Sequence, residues 1–274
     1  MPASSNQDNQ NSQSPDVKRK SSRRNTVLRV AATVLLVIGI CGCGYVVWEQ
    51  YHEYKSLQRM QGAEVPKNPV AVQEKELPDN PIDFSALWGK NVESYAWLYI
   101  PGAEINTPIQ QSALDDSFYL NHDQDGNYSP VGCAFTQLAN AQDFSDPVTV
   151  IYGHNVDGIF ATLHYFEDAE FFKQNDTFYV YTPGHILTYE VVSAYEYDGR
   201  HILNSFDFDR SSVREEYFAS VLNPNSVVRN VREGVELDSD SKLVQLSTCT
   251  FTHPHSPTVR YLVTGVLVDD QETK

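Results

Sequence analysis

The stretch "QLSTCTF", Gln245 to Phe251, has the β-branched and apolar content of a strand. Side chains alternate between the two faces of a strand. Val244, Leu246 and Thr248 therefore share one face, and Gln245, Ser247 and Cys249 share the other. The thiol of Cys249 points with the polar side chains, away from Val244 and Leu246. An isolated cysteine is most often a small buried packing group. One that shares a face with Gln and Ser is also a candidate nucleophile. A free thiol, with a pKa of about 8.5, is largely un-ionised at neutral pH, so a nucleophilic cysteine needs a proton acceptor or a nearby positive charge.

Both have candidates. Arg260 lies eleven residues after Cys249 in "TVRYLVTGVLV", a run that is otherwise uncharged. A guanidinium there is a salt-bridge partner or a donor aimed at an anion. Two antiparallel strands joined by a loop of about seven residues would set it beside Cys249. Among the eight histidines, His154 stands out. It follows the apolar run and glycine of "VTVIYGHN", so a strand feeding a Gly-His turn would present the imidazole at a rim. His52 is juxtamembrane, and His122, His164, His185 and His201 have polar or helical surroundings. His253 and His255 flank a proline in what reads as a solvated loop.

Further strand patterns cover Gly132–Thr136, Pro147–Tyr152, Thr177–Tyr181, His185–Tyr197, Leu243–Thr250 and Thr258–Val268. "YAWLYIPGAEINTPIQQ" supplies two more around a Pro-Gly turn. Helical signals are fewer: "FSALWGKN", Phe160–Phe172 as one short amphipathic stretch or two, and "SSVREEYFASVL", which Ser211 or Ser212 would cap. The fold class is mainly β with helical insertions, a barrel or sandwich. Cysteines at 41, 43, 133 and 249 are not spaced as a zinc site or a disulfide framework, and a Cys133–Cys249 bond stays open.

The net charge of −16 is uneven. Residues 1–29 carry six basic residues against two acidic ones, leaving 14 basic and 34 acidic for the remainder. So acidic a body repels phosphates, which excludes nucleic acid as a partner. Val30–Trp48 is 19 residues without a charge, long enough to span a bilayer core. A cleaved secretory signal is the alternative, disfavoured by the length of the apolar core and the lack of a clear cleavage site. The positive-inside rule puts residues 1–29 in the cytoplasm as a disordered tail, and the body outside the cell membrane. Residues 49–81 read as a juxtamembrane helix and linker, and 82–274 as the folded domain.

"IYGHN", "LSTC" and an arginine on the following strand, in that order, resemble the sortases, membrane-anchored cysteine transpeptidases of mostly Gram-positive bacteria. "WLYIPGAEINTPIQQ", "LDDSFYLNHDQDGNYSPVGCAF" and "YGHNVDGIFATLHYFEDAEFF" are similar to motifs of class B, so the likeness spans about residues 82–268. It implies a closed β-barrel of about eight strands, N-terminal helices, and a helix before the cysteine strand, which Ser211–Leu222 fits. It also implies Cys249 as nucleophile, His154 as acid and Arg260 as oxyanion and substrate-positioning group. Asp116, Tyr152, Ser247 and Thr248 match groove-lining positions, although the family usually has Asn where this chain has Asp116. Thr250 stands where the family often has an acidic residue, and Val156 where it usually has Met. The implied partners are exported proteins bearing a C-terminal sorting signal, and an amine of the cell wall or a pilin subunit. No cofactor or metal is implied. An exported cysteine protease is the rival enzyme, although papain-like chains place Cys before His. A tethered binding domain with an inactive site is the other alternative, and intact Cys, His and Arg argue against it.

Overall fold

The computed structural model describes residues 42, 44–56, 58, 77–250 and 258–274. Residues 44–56 are helical. Among the described residues no helix is long and apolar enough to cross a membrane. The expected span, Val30–Trp48, lies mostly outside them, as do the 1–29 tail, residues 59–76 of the 49–81 helix and linker, and the His253–His255 pair. Residues His52–Lys274 form a compact unit.

Among the described residues, nine strands build that unit: β1 Ser94–Ile100, β2 Ile105–Gln110, β3 Ala134–Phe135, β4 Val148–Tyr152, β5 Thr177–Thr182, β6 His185–Tyr197, β7 Arg229–Val231, β8 Leu243–Cys249 and β9 Arg260–Glu272. They run in the order β5-β1-β2-β3-β4-β8-β9-β6-β7, and β5 also pairs with β6. That pairing closes eight strands into a barrel and leaves β7 as an appendage on β6. β2–β3 and β4–β8 are parallel, and every other pair is antiparallel. The β5–β6 hairpin turns on Pro183-Gly184, with Gly184 at φ +85°, where a side chain would be strained.

Many of these strands read as near-continuous apolar runs rather than strict alternations because both of their faces are covered. Leu98, Ile109, Ile151, Val180, Leu187, Val244, Leu246 and Val263 fill the interior with Phe160 and Phe166 from the following loop. Val148, Val150, Val192, Leu243 and Leu262 point outward and are capped by Tyr217, Phe218 and Val221 of the helix Ser211–Leu222. β8 thus alternates as its sequence implies, but its polar face is not wet. Gln245 is fully buried, and the Tyr217 hydroxyl donates to its Oε1 at 2.6 Å.

Two local expectations need correction, and a third is settled between its alternatives. The helix Ser211–Leu222 is capped by neither serine; Arg210 occupies the cap with extended backbone and no side-chain bond. Arg214 instead reaches back to the carbonyls of Phe208, Asp209 and Ser239, fixing the helix entry from outside. Phe160–Phe172, read as one short stretch or two, is two: a 3₁₀ segment, Ala161–Glu167, and a helix, Ala169–Gln174, capped by Asp168. The β8–β9 connection spans residues 250–259 and is longer than the seven expected, because β8 ends at Cys249 rather than Thr250 and β9 starts at Arg260 rather than Thr258. A short helix, Ile202–Ser205, and strand β7 have no clear signal in the sequence.

Candidate active site

β4 and β8 run parallel at the centre of the barrel wall, with Tyr152 opposite Ser247. The last rung is the Gly153 N–H donating to the Ser247 carbonyl at 3.1 Å. The chain then turns, and the His154 carbonyl accepts from Val156 N–H at 2.9 Å and Phe160 N–H at 3.2 Å. Glycine is needed at 153 because a Cβ there would meet Phe160 Cδ2 at 2.6 Å and Ile159 Cγ2 at 2.9 Å. The turn lifts His154 to the level of Cys249, the last residue of β8. On the other side of β8, Cys249 is the register partner of Arg260, the first residue of β9.

His154, Cys249 and Arg260 line one cavity of about 340 Å³, and Asp116, Tyr152, Ser247 and Thr248 line it with them. All seven residues singled out from sequence are therefore brought together. His154 Nε2 donates to the Leu120 carbonyl at 2.8 Å, which fixes the ring against the 3₁₀ turn Phe118–Leu120. Arg260 Nη1 donates to the Val259 carbonyl at 2.8 Å. Asp116 is exposed, and its Oδ1 accepts from the Leu138 N–H at 2.8 Å, joining two loops at the cavity mouth. The Tyr152 hydroxyl and Thr248 Oγ1 are buried and have no hydrogen-bond partner. Burial pushes the Tyr152 hydroxyl well above its ordinary value; the Asp116 carboxylate adds to this and the Arg260 guanidinium opposes it. It is a neutral donor at physiological pH, and a buried donor without a partner is costly until something occupies the cavity.

The second cysteine is excluded from this chemistry. Cys133 and Cys249 are both free, which removes the disulfide. Cys133 is buried in the core, and burial pushes its thiol well above the ordinary value. Cys249 is half-buried at the cavity.

Two histidines with unremarkable sequence surroundings are closer to the site than expected. His201 lines the cavity beside Tyr197 and Arg200, its ring centroid 6.4 Å from that of Tyr152, and caps the helix Ile202–Ser205 through Nδ1. His164 lies against the main chain of Cys249, with Nε2 2.9 Å from its carbonyl oxygen. No motif marks either, because each arrives from a loop whose path is set by tertiary packing. His122 and His185 have local roles, on the Phe118 carbonyl and on Asp270 respectively.

No family model matches the chain. Sortase B of Listeria monocytogenes is 31% identical over 182 residues, covering 65% of this chain and 71% of that protein. The solved structure of Clostridium perfringens sortase B superposes with a TM-score of 0.60 at 26% identity, covering 68% of this chain and 100% of that one. A class B sortase of Streptococcus pyogenes gives a TM-score of 0.57 at 26% identity, covering 68% and 98%. Identity of that extent, on the same barrel, means that the chain belongs to the class B sortases and is a cysteine transpeptidase.

Proposed function

We propose that Cys249 is the nucleophile of this transpeptidase, His154 its acid, and Arg260 the group that binds the oxyanion and orients the substrate. The observation that carries this is the meeting of all three at one cavity, with Cys249 and Arg260 opposite each other on neighbouring strands. The Cys249 thiolate attacks the scissile carbonyl of a sorting signal, and the electron pair moves onto oxygen beside Arg260. Collapse of that intermediate breaks the C–N bond, and the departing amine takes a proton from the His154 imidazolium. Nε2–H is tied to the Leu120 carbonyl, so the transferable proton sits on Nδ1. A thioester remains on Cys249 until an incoming amine attacks it, gives up a proton to the now neutral His154, forms the new amide and releases the thiolate. The unpartnered Tyr152 hydroxyl, with Ser247 and Asp116, meets the peptide; Thr248 lines the cavity too, but its side chain falls on the interior face of β8 with Val244 and Leu246.

The substrates on this reading are exported proteins with a C-terminal sorting signal, and the acceptor is an amine of the cell wall or of a pilin subunit. The uncharged run Val30–Trp48 behind a basic tail supports a single-pass anchor, with the N-terminus cytoplasmic and the catalytic unit outside. Incubation with a sorting-signal peptide library and free amines, read by mass spectrometry, tests the chemistry. Amide products and a hydroxylamine-captured acyl group are expected. Peptide hydrolysis that no amine diverts would overturn the transfer step. Protease added to intact cells is expected to digest the catalytic unit and spare the tail; a protected unit would overturn the topology.

A further inference from the structure

The turn that presents His154 leaves a defect in the barrel wall. Hydrogen bonds in a parallel ladder recur at every second residue of each strand. Leu243 N–H donates to the Pro147 carbonyl and the Ser247 carbonyl accepts from Gly153, so the odd-numbered residues of β8 direct their main-chain groups toward β4. The next acceptor in that series is the carbonyl of Cys249. The next donor would be residue 155, but β4 has ended and the chain has already turned at His154. The ladder stops one rung short of the nucleophile.

His164 supplies the missing donor. Its Nε2 lies 2.9 Å from the Cys249 carbonyl oxygen, and a carbonyl cannot donate, so Nε2 carries the proton. Its Nδ1 lies 2.5 Å from Glu167 Oε1. The two atoms are in hydrogen-bond contact, which ties the ring to the carboxyl group. The two residues come from the 3₁₀ segment Ala161–Glu167, where a period of three residues stacks positions i and i+3 on one face. The His164 side chain is 3% exposed and its ring stacks on Tyr261, centroids 4.7 Å apart. Tyr261 is the register partner of Thr248, next to Cys249. The carboxylate fixes the ring, and the ring holds the carbonyl of the residue that bears the thiol.

We propose that His164, oriented by Glu167, is a positioning residue that replaces the absent β4 rung and fixes the main chain of Cys249, and with it Sγ, relative to His154 and Arg260. This rests on Cys249 being the nucleophile. Misplacing a reacting atom by about 1 Å costs on the order of 10²-fold in rate, so a carbonyl set free by loss of one hydrogen bond is expected to cost about tenfold.

The experiment compares kcat, KM and melting temperature of the full chain carrying Cys249→Ala, His164→Leu, His164→Gln or Glu167→Ala. His164→Leu removes the donor and is expected to lower kcat about tenfold with KM within about twofold. His164→Gln offers an amide N–H at the position of Nε2 and is expected to recover most of that loss. Glu167→Ala, near the surface, is expected to lower kcat severalfold at unchanged KM. It also carries the test if His164→Leu does not fold. Wild-type kcat in a folded His164→Leu or Glu167→Ala protein would overturn the proposal. So would a glutamine variant as impaired as the leucine one, because the ring would then be only a packing element. Activity in Cys249→Ala would instead overturn the assignment of the nucleophile, so the two failures are separable.

Discussion

Cys249 and Arg260 form the final rung of the β8–β9 ladder, which begins at Leu243 and Val266. Cys249 turns its main-chain groups toward β4, as Ser247 does, so this rung is a non-hydrogen-bonded pair. Directly opposite side chains come closest in such pairs, with Cα atoms about 4.5 Å apart. The thiol and the guanidinium stem therefore start from neighbouring points on the same outer face. The helix Ser211–Leu222 covers that face as far as Gln245 and leaves the end of β8 to the cavity.

Arg260→Lys is expected to keep the fold and lose about 10²-fold in kcat/KM, the range for losing one oxyanion donor. A point charge does not reproduce the planar fork of guanidinium donors. Steady-state kinetics beside a melting curve checks this; near-normal turnover at an unchanged melting temperature would make Arg260 a structural partner only.

The two described thiols should respond differently to alkylation. Cys249 is half-buried and open to the cavity, whereas Cys133 is 1% exposed and its thiol is held protonated by burial. Iodoacetamide treatment of the native protein, followed by peptide mapping, is expected to modify Cys249 and spare Cys133, with turnover lost in step. Labelling of Cys133 at a comparable rate would contradict the packing described for it.

Gly153→Ala is expected to cost about 1–3 kcal/mol of stability, the usual range for overpacking. The new methyl would be driven into Phe160 and Ile159. The turn that carries His154 would have to move, so kcat should fall more than stability alone explains. Denaturation and turnover measured on the same preparation separate the two effects, and an unaltered kcat would show that His154 tolerates displacement.

Alkaline pH should unfold the protein. Burial raises Cys133, Tyr189, Tyr195 and Tyr217 above their ordinary values. Each is neutral while protonated, so the folded state keeps protons that the unfolded chain releases. The stability they contribute is fully present below the ordinary values of about 8.5 for cysteine and 10 for tyrosine, and declines as pH rises past them. The melting temperature is expected to fall above about pH 10, with exposed tyrosines such as Tyr128 and Tyr165 ionising in the folded protein and the remaining tyrosinate absorbance appearing only with unfolding. Ionisation of all sixteen tyrosines in a protein that stays folded would contradict the burial of these groups.

The sequence by itself determined every strand but β7 and the order in which His154, Cys249 and Arg260 occur, because side-chain periodicity and turn chemistry act over a few residues. It also determined which side chains share a face with Cys249, since alternation follows from the strand alone. It did not reveal that this face lies under a helix. Gln245 looks solvent-facing until Tyr217, distant in sequence, is packed against it. Nor did it reveal the roles of His164 and His201, whose contacts cross from loops to β8 and β4. Only the tertiary structure decided those, because pairing β4 with β8 joins residues 95 apart in sequence, and the rung that β4 fails to supply is set by that pairing alone.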